Sequence, residues 1–99
     1  MSSPSRLWTL AGFGPVVEAW IDRDQPCQDL RLVVSDWILS RCEDPYLGVR
    51  RERGFPNLWY GTVPFSRHGN DLAVMVVYWI KEHEHTVQCE SVTTLGLPH

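Results

Sequence analysis

Residues 72–80, LAVMVVYWI, carry no charge and are rich in β-branched and aromatic side chains. Residues 86–95 mix Val, Thr, Cys and Ser with a single charge, Glu90. The polar pentad KEHEH, 81–85, separates the two runs. Two β-favouring runs joined by a short polar loop predict a hairpin. A strand that is apolar at successive positions belongs in the middle of a sheet with both faces covered. The second run alternates less cleanly. Val87, Cys89, Ser91 and Thr93 share one face and Gln88, Glu90, Val92 and Thr94 the other, which suits a strand near an edge or wet on one side. The rest of the chain has to cover this hairpin.

At 99 residues and 43% hydrophobic, with five Trp, the sequence predicts one domain over 1–99 with a small core. A chain of this size buries only about two-thirds of its unfolded surface, so apolar area shared with a partner would help it. No run of roughly 18 apolar residues occurs, which argues against a membrane-spanning helix. Residues 1–6, MSSPSR, lack the basic-then-apolar layout of a signal peptide. The expectation is a cytoplasmic protein that does not engage a membrane. Cys27, Cys42 and Cys89 are odd in number and far apart, with no CxxC or CxxH spacing. They read as buried reduced thiols and not as a zinc site.

A net charge of −3 argues against strong non-specific binding to nucleic acid. The charge is uneven. Residues 1–40 carry three Arg and five acids, 41–67 five Arg and three acids, and 68–99 one Lys and four acids, giving −2, +2 and −3. Arg50, Arg51, Arg53 and Arg67 thus form a basic island in an acidic chain. Arg outnumbers Lys eight to one. Bidentate binding of phosphate or carboxylate favours Arg in this way, and so does codon bias in the host genome.

In chain order, residues 6–10 predict a first strand around Trp8. Gly12 and Gly14 make a turn, with Pro15 at the first position of a helix. Val16, Val17, Trp20 and Ile21 recur at helical spacing over 15–23. Asp24 is placed to cap a second helix with Pro26 in its first turn. That helix runs over 26–42, with Leu30, Val33, Val34, Trp37 and Ile38 as its apolar stripe and Arg41 at the negative end of its dipole. The two helices form an antiparallel hairpin. Residues 47–57 show no periodicity and read as a surface loop. Residues 58–65 predict a strand ending at Pro64, and Gly69 marks the turn into the long hairpin. The fold class is α+β: an N-terminal strand and a two-helix hairpin packed on a mostly antiparallel sheet of about four strands.

In this order the chain resembles the RelE/ParE superfamily of small toxins from bacterial toxin–antitoxin pairs. The resemblance covers nearly the whole length. It rests on Glu18-Ala19-Trp20-Ile21 in the helical hairpin, the Glu43-Asp44-Pro45 break, the loop with Arg50, Arg51 and Arg53, the strand over 58–63, and Val76-Val77-Tyr78-Trp79-Ile80. It implies an antitoxin-like protein partner, no cofactor, and growth inhibition either by RNA cleavage or by binding a target such as the ribosome, RNA or gyrase. RelE-like ribosome-dependent ribonucleases use Lys and Arg on the second and third strands, with an Arg and a Tyr or His near the C-terminus. Cleavage through the 2′-hydroxyl needs a base, an acid and cations for the developing charge. Here the second-strand positions are Gly61 and Val63, the position before the Val-Tyr pair is about Met75, and no basic residue follows in the last strand before His99. If the chain is an enzyme it is an endoribonuclease, but these departures favour a divergent or inactive relative.

Several residues are candidates for chemistry. Arg50, Arg51 and Arg53, with Arg67, can hold phosphate or an acidic partner segment, or be a solvated loop. Arg67 and His68 are the candidate catalytic pair, His68 as acid or base at neutral pH; a plain turn histidine is the alternative. Tyr60 and Tyr78, on neighbouring strands, can stack on a base or belong to the core. His83-Glu84-His85 lacks a third ligand at useful spacing, so no metal is expected. Two further functions compete with the toxin reading. One is a non-catalytic module that docks a partner segment on the helical hairpin or a sheet edge. The other is a small-ligand binder with a closed apolar pocket near Tyr60 and Tyr78.

Overall fold

A computed structural model describes residues 6–97 of the chain. His99 and the first five residues of the leader reading lie outside them. The elements are β1 (Thr9–Ala11), α1 (Phe13–Asp24), α2 (Gln28–Ser40), β2 (Arg50–Arg51), β3 (Leu58–Thr62), β4 (Leu72–Lys81) and β5 (Thr86–Gly96). They form one sheet in the order β1-β5-β4-β3-β2, antiparallel except that β1 runs parallel to β5. The expected α+β architecture is present, with five strands where about four were expected. The additional one, β2, lies inside the stretch that reads as an irregular loop. A two-residue ladder, Arg50 opposite Tyr60 and Arg51 opposite Trp59, is too short to leave a periodic trace.

The uncharged run becomes β4, held between β3 and β5. Val74, Val76, Tyr78 and Ile80 turn to one side and are fully buried. Trp20, Leu30, Val34 and Ile38 of the helices join them in the core, together with Val87, Cys89 and Val92 of β5. Met75, Val77 and Trp79 turn to the other side and stay half-buried. The expectation that both faces of this strand are covered therefore needs correction. The helices cover one face, and the other is closed only by neighbouring side chains.

The untidy alternation of β5 has a physical cause. Val77 lies opposite Ser91 but Tyr78 lies opposite Cys89, so Glu90 is an extra residue in a bulge. Past the bulge the inward set shifts, and Val87, Cys89 and Val92 share the buried side. β1 covers only Thr86 to Gln88, which leaves the rest of β5 as an edge.

The helix boundaries also shift. Gly12 in the left-handed region (φ 75°) starts α1 at Phe13, two residues ahead of Pro15. Asp24 ends α1 instead of capping α2. Its carboxylate accepts from Thr94 Oγ1 at 2.6 Å, and Cys27 takes the cap position of α2 without a side-chain bond. Trp20 is buried, its indole N–H donating to Thr94 Oγ1 at 3.0 Å. Arg41 does more than complement a dipole. It is buried beneath the loop after α2, with its guanidinium carbon 4.1 Å from the Trp37 ring centroid, and it donates to the Leu47 carbonyl at 2.5 Å. Of the three thiols, Cys89 is buried, Cys42 half-buried and Cys27 exposed, so the expectation of three buried thiols holds for one.

Candidate functional site

The sheet face away from the helices is the natural place for a site, because no helix or strand among the described residues lies on it. Strand pairing sets which residues share it. Arg50, Tyr60 and Val77 align across β2, β3 and β4, with Leu58 opposite Trp79 and Thr62 opposite Met75 on either side. Gly48, Arg50, Tyr60, Gly61 and Thr62 line an open groove of about 400 Å³ at this edge. Gly61 is required there. A Cβ on it would come within 2.7 Å of Val49 Cγ1 and 3.4 Å of the Gly48 carbonyl. Beside the groove, Phe55 meets the Trp79 ring edge-on at 6.2 Å, and the Trp79 indole N–H donates to Glu90 at 2.9 Å. The bulge in β5 is what supplies Glu90 to this face.

This arrangement combines one guanidinium, a tyrosine ring, a threonine hydroxyl and an aromatic pair. A guanidinium fork can hold a phosphate or a carboxylate, and rings can stack on a base or an apolar side chain. The other strand cation on this face, Lys81, lies 3.9 Å from the Glu84 carboxylate.

The sequence candidates separate. Arg50 and Arg51 are adjacent on a strand, so they point to opposite faces; only Arg50 joins Tyr60. Arg53 is exposed in the loop that follows. Tyr78 is closed to any ligand. It is fully buried, its hydroxyl donates to the Pro45 carbonyl at 2.5 Å, and burial raises its pKa. Tyr60 and Tyr78 sit on neighbouring strands but opposite faces, since Tyr60 pairs with Val77 and Trp59 with Tyr78. Arg67 and His68 belong elsewhere. His68 pairs with Leu72 at the start of β4, five residues from Val77, or roughly 17 Å along the strand. Arg67 is exposed and ion-paired with Asp71 at 2.5 Å. Trp79, Phe55 and Glu90 were missed in the sequence. Alternation held a clue for one of them, because a Trp following a buried Tyr must face the other way.

His68 lines a second cleft of about 580 Å³, between the α1–α2 junction and the β3–β4 turn, with Arg23, Asp24, Cys27, Leu30 and Thr94 among its other walls. The His68 Nδ1–H donates to the Ser66 carbonyl at 2.7 Å, which leaves Nε2 for the cleft. The Thr94 hydroxyl is the main reason the Asp24 carboxyl sits below its ordinary pKa; burial opposes this, and Arg23 adds to it.

The KEHEH turn has a structural use. His85 stacks on Trp8 at 3.9 Å, and its Nε2–H donates to the Arg6 carbonyl at 3.0 Å. Trp8 also meets Tyr46 edge-on, and Tyr46 meets Trp59. The Tyr46 hydroxyl donates to Glu82; burial, then this bond, push its pKa up to about 12. No group of three His, Cys, Asp or Glu capable of holding a metal ion occurs among the described residues. No helix among them is long and apolar enough to cross a membrane.

No family model and no curated protein sequence matches the chain. Solved structures do match its fold. The isolated E. coli RelE toxin superposes with a TM-score of 0.66 at 15% identity, covering 92% of this chain and 87% of that one. A double arginine-to-alanine mutant of E. coli RelE in the free state gives 0.61 at 16% identity, covering 87% and 81%. The intact E. coli RelBE toxin–antitoxin complex gives 0.63 at 15% identity, covering 93% of this chain and 99% of the matched chain. With two helices on one face of the sheet and a parallel N-terminal strand at its edge, this chain has the RelE fold.

Proposed function

We propose that this chain is a divergent RelE-like toxin of a bacterial toxin–antitoxin pair, or a relative of one, neutralised by an antitoxin-like protein. It inhibits growth by binding a target through the open sheet face, not by RNA cleavage of the usual RelE kind. The fold likeness, including one to a chain solved within a toxin–antitoxin complex, supports the class. The observation that carries the mechanism is the chemistry of the open face. Among the strand residues there, Arg50 is the one cation apart from the Lys81–Glu84 pair, and an acid, Glu90, sits beside Trp79. In-line cleavage by a 2′-hydroxyl needs several cations and an acid–base pair around one phosphate. One guanidinium beside Tyr60 and an aromatic pair suits anchoring of a partner instead.

A second reading, a non-catalytic interaction module, rests on Leu32 and Leu39. They lie seven residues apart on α2 and are 51% and 61% exposed, a spacing that gives a partner segment an apolar seat on the helical hairpin. The test is growth of a bacterial host after induced expression, with ribosome-bound mRNA followed by primer extension. The toxin reading expects arrest by the wild type, relief by Arg50→Ala with Tyr60→Ala at equal soluble level, and intact mRNA throughout. Normal growth with a captured protein partner favours the module. Site-specific mRNA breaks that appear with arrest refute the contact mechanism.

A further inference from the structure

Phe65 is the most exposed large apolar side chain among the described residues, at 94%, and it stands on a backbone that resists its position. Its φ is +64°, in the left-handed region that disfavours residues carrying a Cβ. The turn is nonetheless firmly built. The buried Ser66 hydroxyl donates to the Val63 carbonyl at 2.6 Å and accepts from the Val74 amide at 3.0 Å. His68 and Leu72 exchange both backbone bonds, at 2.8 and 2.9 Å. Among the described residues the turn is held by these bonds, but the Phe65 ring itself gains no burial from them and faces water.

The same turn supplies His68 and Leu72 to the 580 Å³ cleft, whose floor is largely apolar through Pro26 and Leu30. A cavity of roughly 150 Å³ already accommodates benzene, so the cleft has room for a phenyl ring and its backbone. Knob and hole are three residues apart in sequence, from Phe65 to His68. Neighbouring knob and hole on one surface are what a two-fold axis needs, because a single rotation seats each copy's knob in the other's hole.

We propose that this end of the molecule is a homodimer interface in which Phe65 of each copy inserts into the cleft lined by Pro26, Cys27, Leu30 and Leu72 of the other. The occupant is a second copy because hole and knob are both on this chain and the charges around them cancel. Arg23 pairs with Asp24 and Arg67 with Asp71, so two copies facing each other here carry no like-charge excess although the whole chain is −3. Two phenyl rings and their rims form a small interface, of the weak and concentration-dependent kind. The inference is independent of the toxin reading, since the cleft and the Arg50 groove share no lining residue.

Sedimentation velocity over about 5 to about 500 µM tests it. The wild type is expected to pass from monomer to dimer. Phe65→Ser, whose ring is outside the core and whose melting curve should match the wild type, is expected to weaken dimerisation on the order of 100-fold. A second variant places the contact. Phe65→Cys, mildly oxidised, is expected to form a disulfide-linked dimer through the partner's exposed Cys27, and adding Cys27→Ser is expected to abolish it. A wild type that stays monomeric over the whole range overturns the proposal. So does a dimer that Phe65→Ser leaves intact, or a crosslink that persists without Cys27.

Discussion

Replacing Arg41 by Lys tests how the structure fixes the approach to β2. Arg41 is 3% exposed and has no carboxylate partner among the described residues; its guanidinium is satisfied by neutral groups. One Nη donates to the Leu47 carbonyl at 2.5 Å, the other to Ser40 Oγ at 3.1 Å, and the plane lies over Trp37. Lys keeps the charge and the cost of burying it, and a single ammonium is more strongly hydrated than a guanidinium. It cannot reach both acceptors from one stem or stack flat on the indole. A lost bond from a charged donor costs about 1.5–3 kcal/mol and a lost cation–π contact about 0.5–2 kcal/mol. With partial replacement of the bond to Leu47, the expected loss is about 3 kcal/mol. For a domain of this size that lowers Tm by roughly 12–24 °C. Arg41→Met leaves the Leu47 carbonyl unpaired but removes the buried charge, so its loss should be smaller, about 2 kcal/mol. Arg50→Ala, three residues past the anchored carbonyl but exposed, should stay within about 0.5 kcal/mol of the wild type. Urea unfolding of the three variants measures these differences. An Arg41→Lys chain within about 1 kcal/mol of the wild type, or one more stable than Arg41→Met, would refute the account of how this cation is held.

Other consequences are equally direct. Thr94→Val removes the acceptor of the buried Trp20 indole and the donor to Asp24, and should cost about 1–3 kcal/mol at neutral pH. Because Thr94 lowers the Asp24 pKa, the Asp24 part of that cost is present above the ordinary carboxylate range and is lost as pH falls through the lowered native value. The gap between wild type and variant, followed by urea unfolding across pH, should therefore be flat from neutral down to about pH 5 and narrow below about pH 4. Gly61→Ala drives a Cβ against the stiff, β-branched Val49 and should cost about 1–3 kcal/mol. Adding Val49→Ala should recover part of the loss, and a thermal melt of the double variant reads this out. Burial pushes the Cys89 thiol up to about 12. Iodoacetamide at pH 8 should therefore label Cys27 in the native protein and reach Cys89 only on unfolding, as peptide mass spectrometry would show.

Legibility varied with the number of residues that carry each signal. The β4–β5 hairpin was plain because nine uncharged residues and a polar pentad leave few alternatives. The helices showed through five or so apolar positions at helical spacing, while their ends moved by two residues because Gly12 and Cys27 are weak punctuation. β2 was hidden, since two residues have no period. The bulge at Glu90 was hidden as untidy alternation. The candidate site inherited these errors. Arg50 and Arg51 looked alike until a two-residue strand turned them apart, and Tyr78 looked like a partner of Tyr60 until the register placed it against Trp59.

The deeper obstacle is the strand that organises the fold. Positions 73–80 are apolar at every step, and a strand covered by protein on both sides would read the same way. Here two short helices cover only the side bearing Val74, Val76, Tyr78 and Ile80. Among the described residues no third element lies over Met75, Val77 and Trp79, which stay apolar at a cost in solubility. On the proposed reading a partner covers this face, and Arg50 and Glu90 at its borders can orient it. The property that marks residues 72–80 as the centre of the sheet is thus the one that conceals their use. A face kept apolar for a second molecule has the same sequence as a face buried by the first.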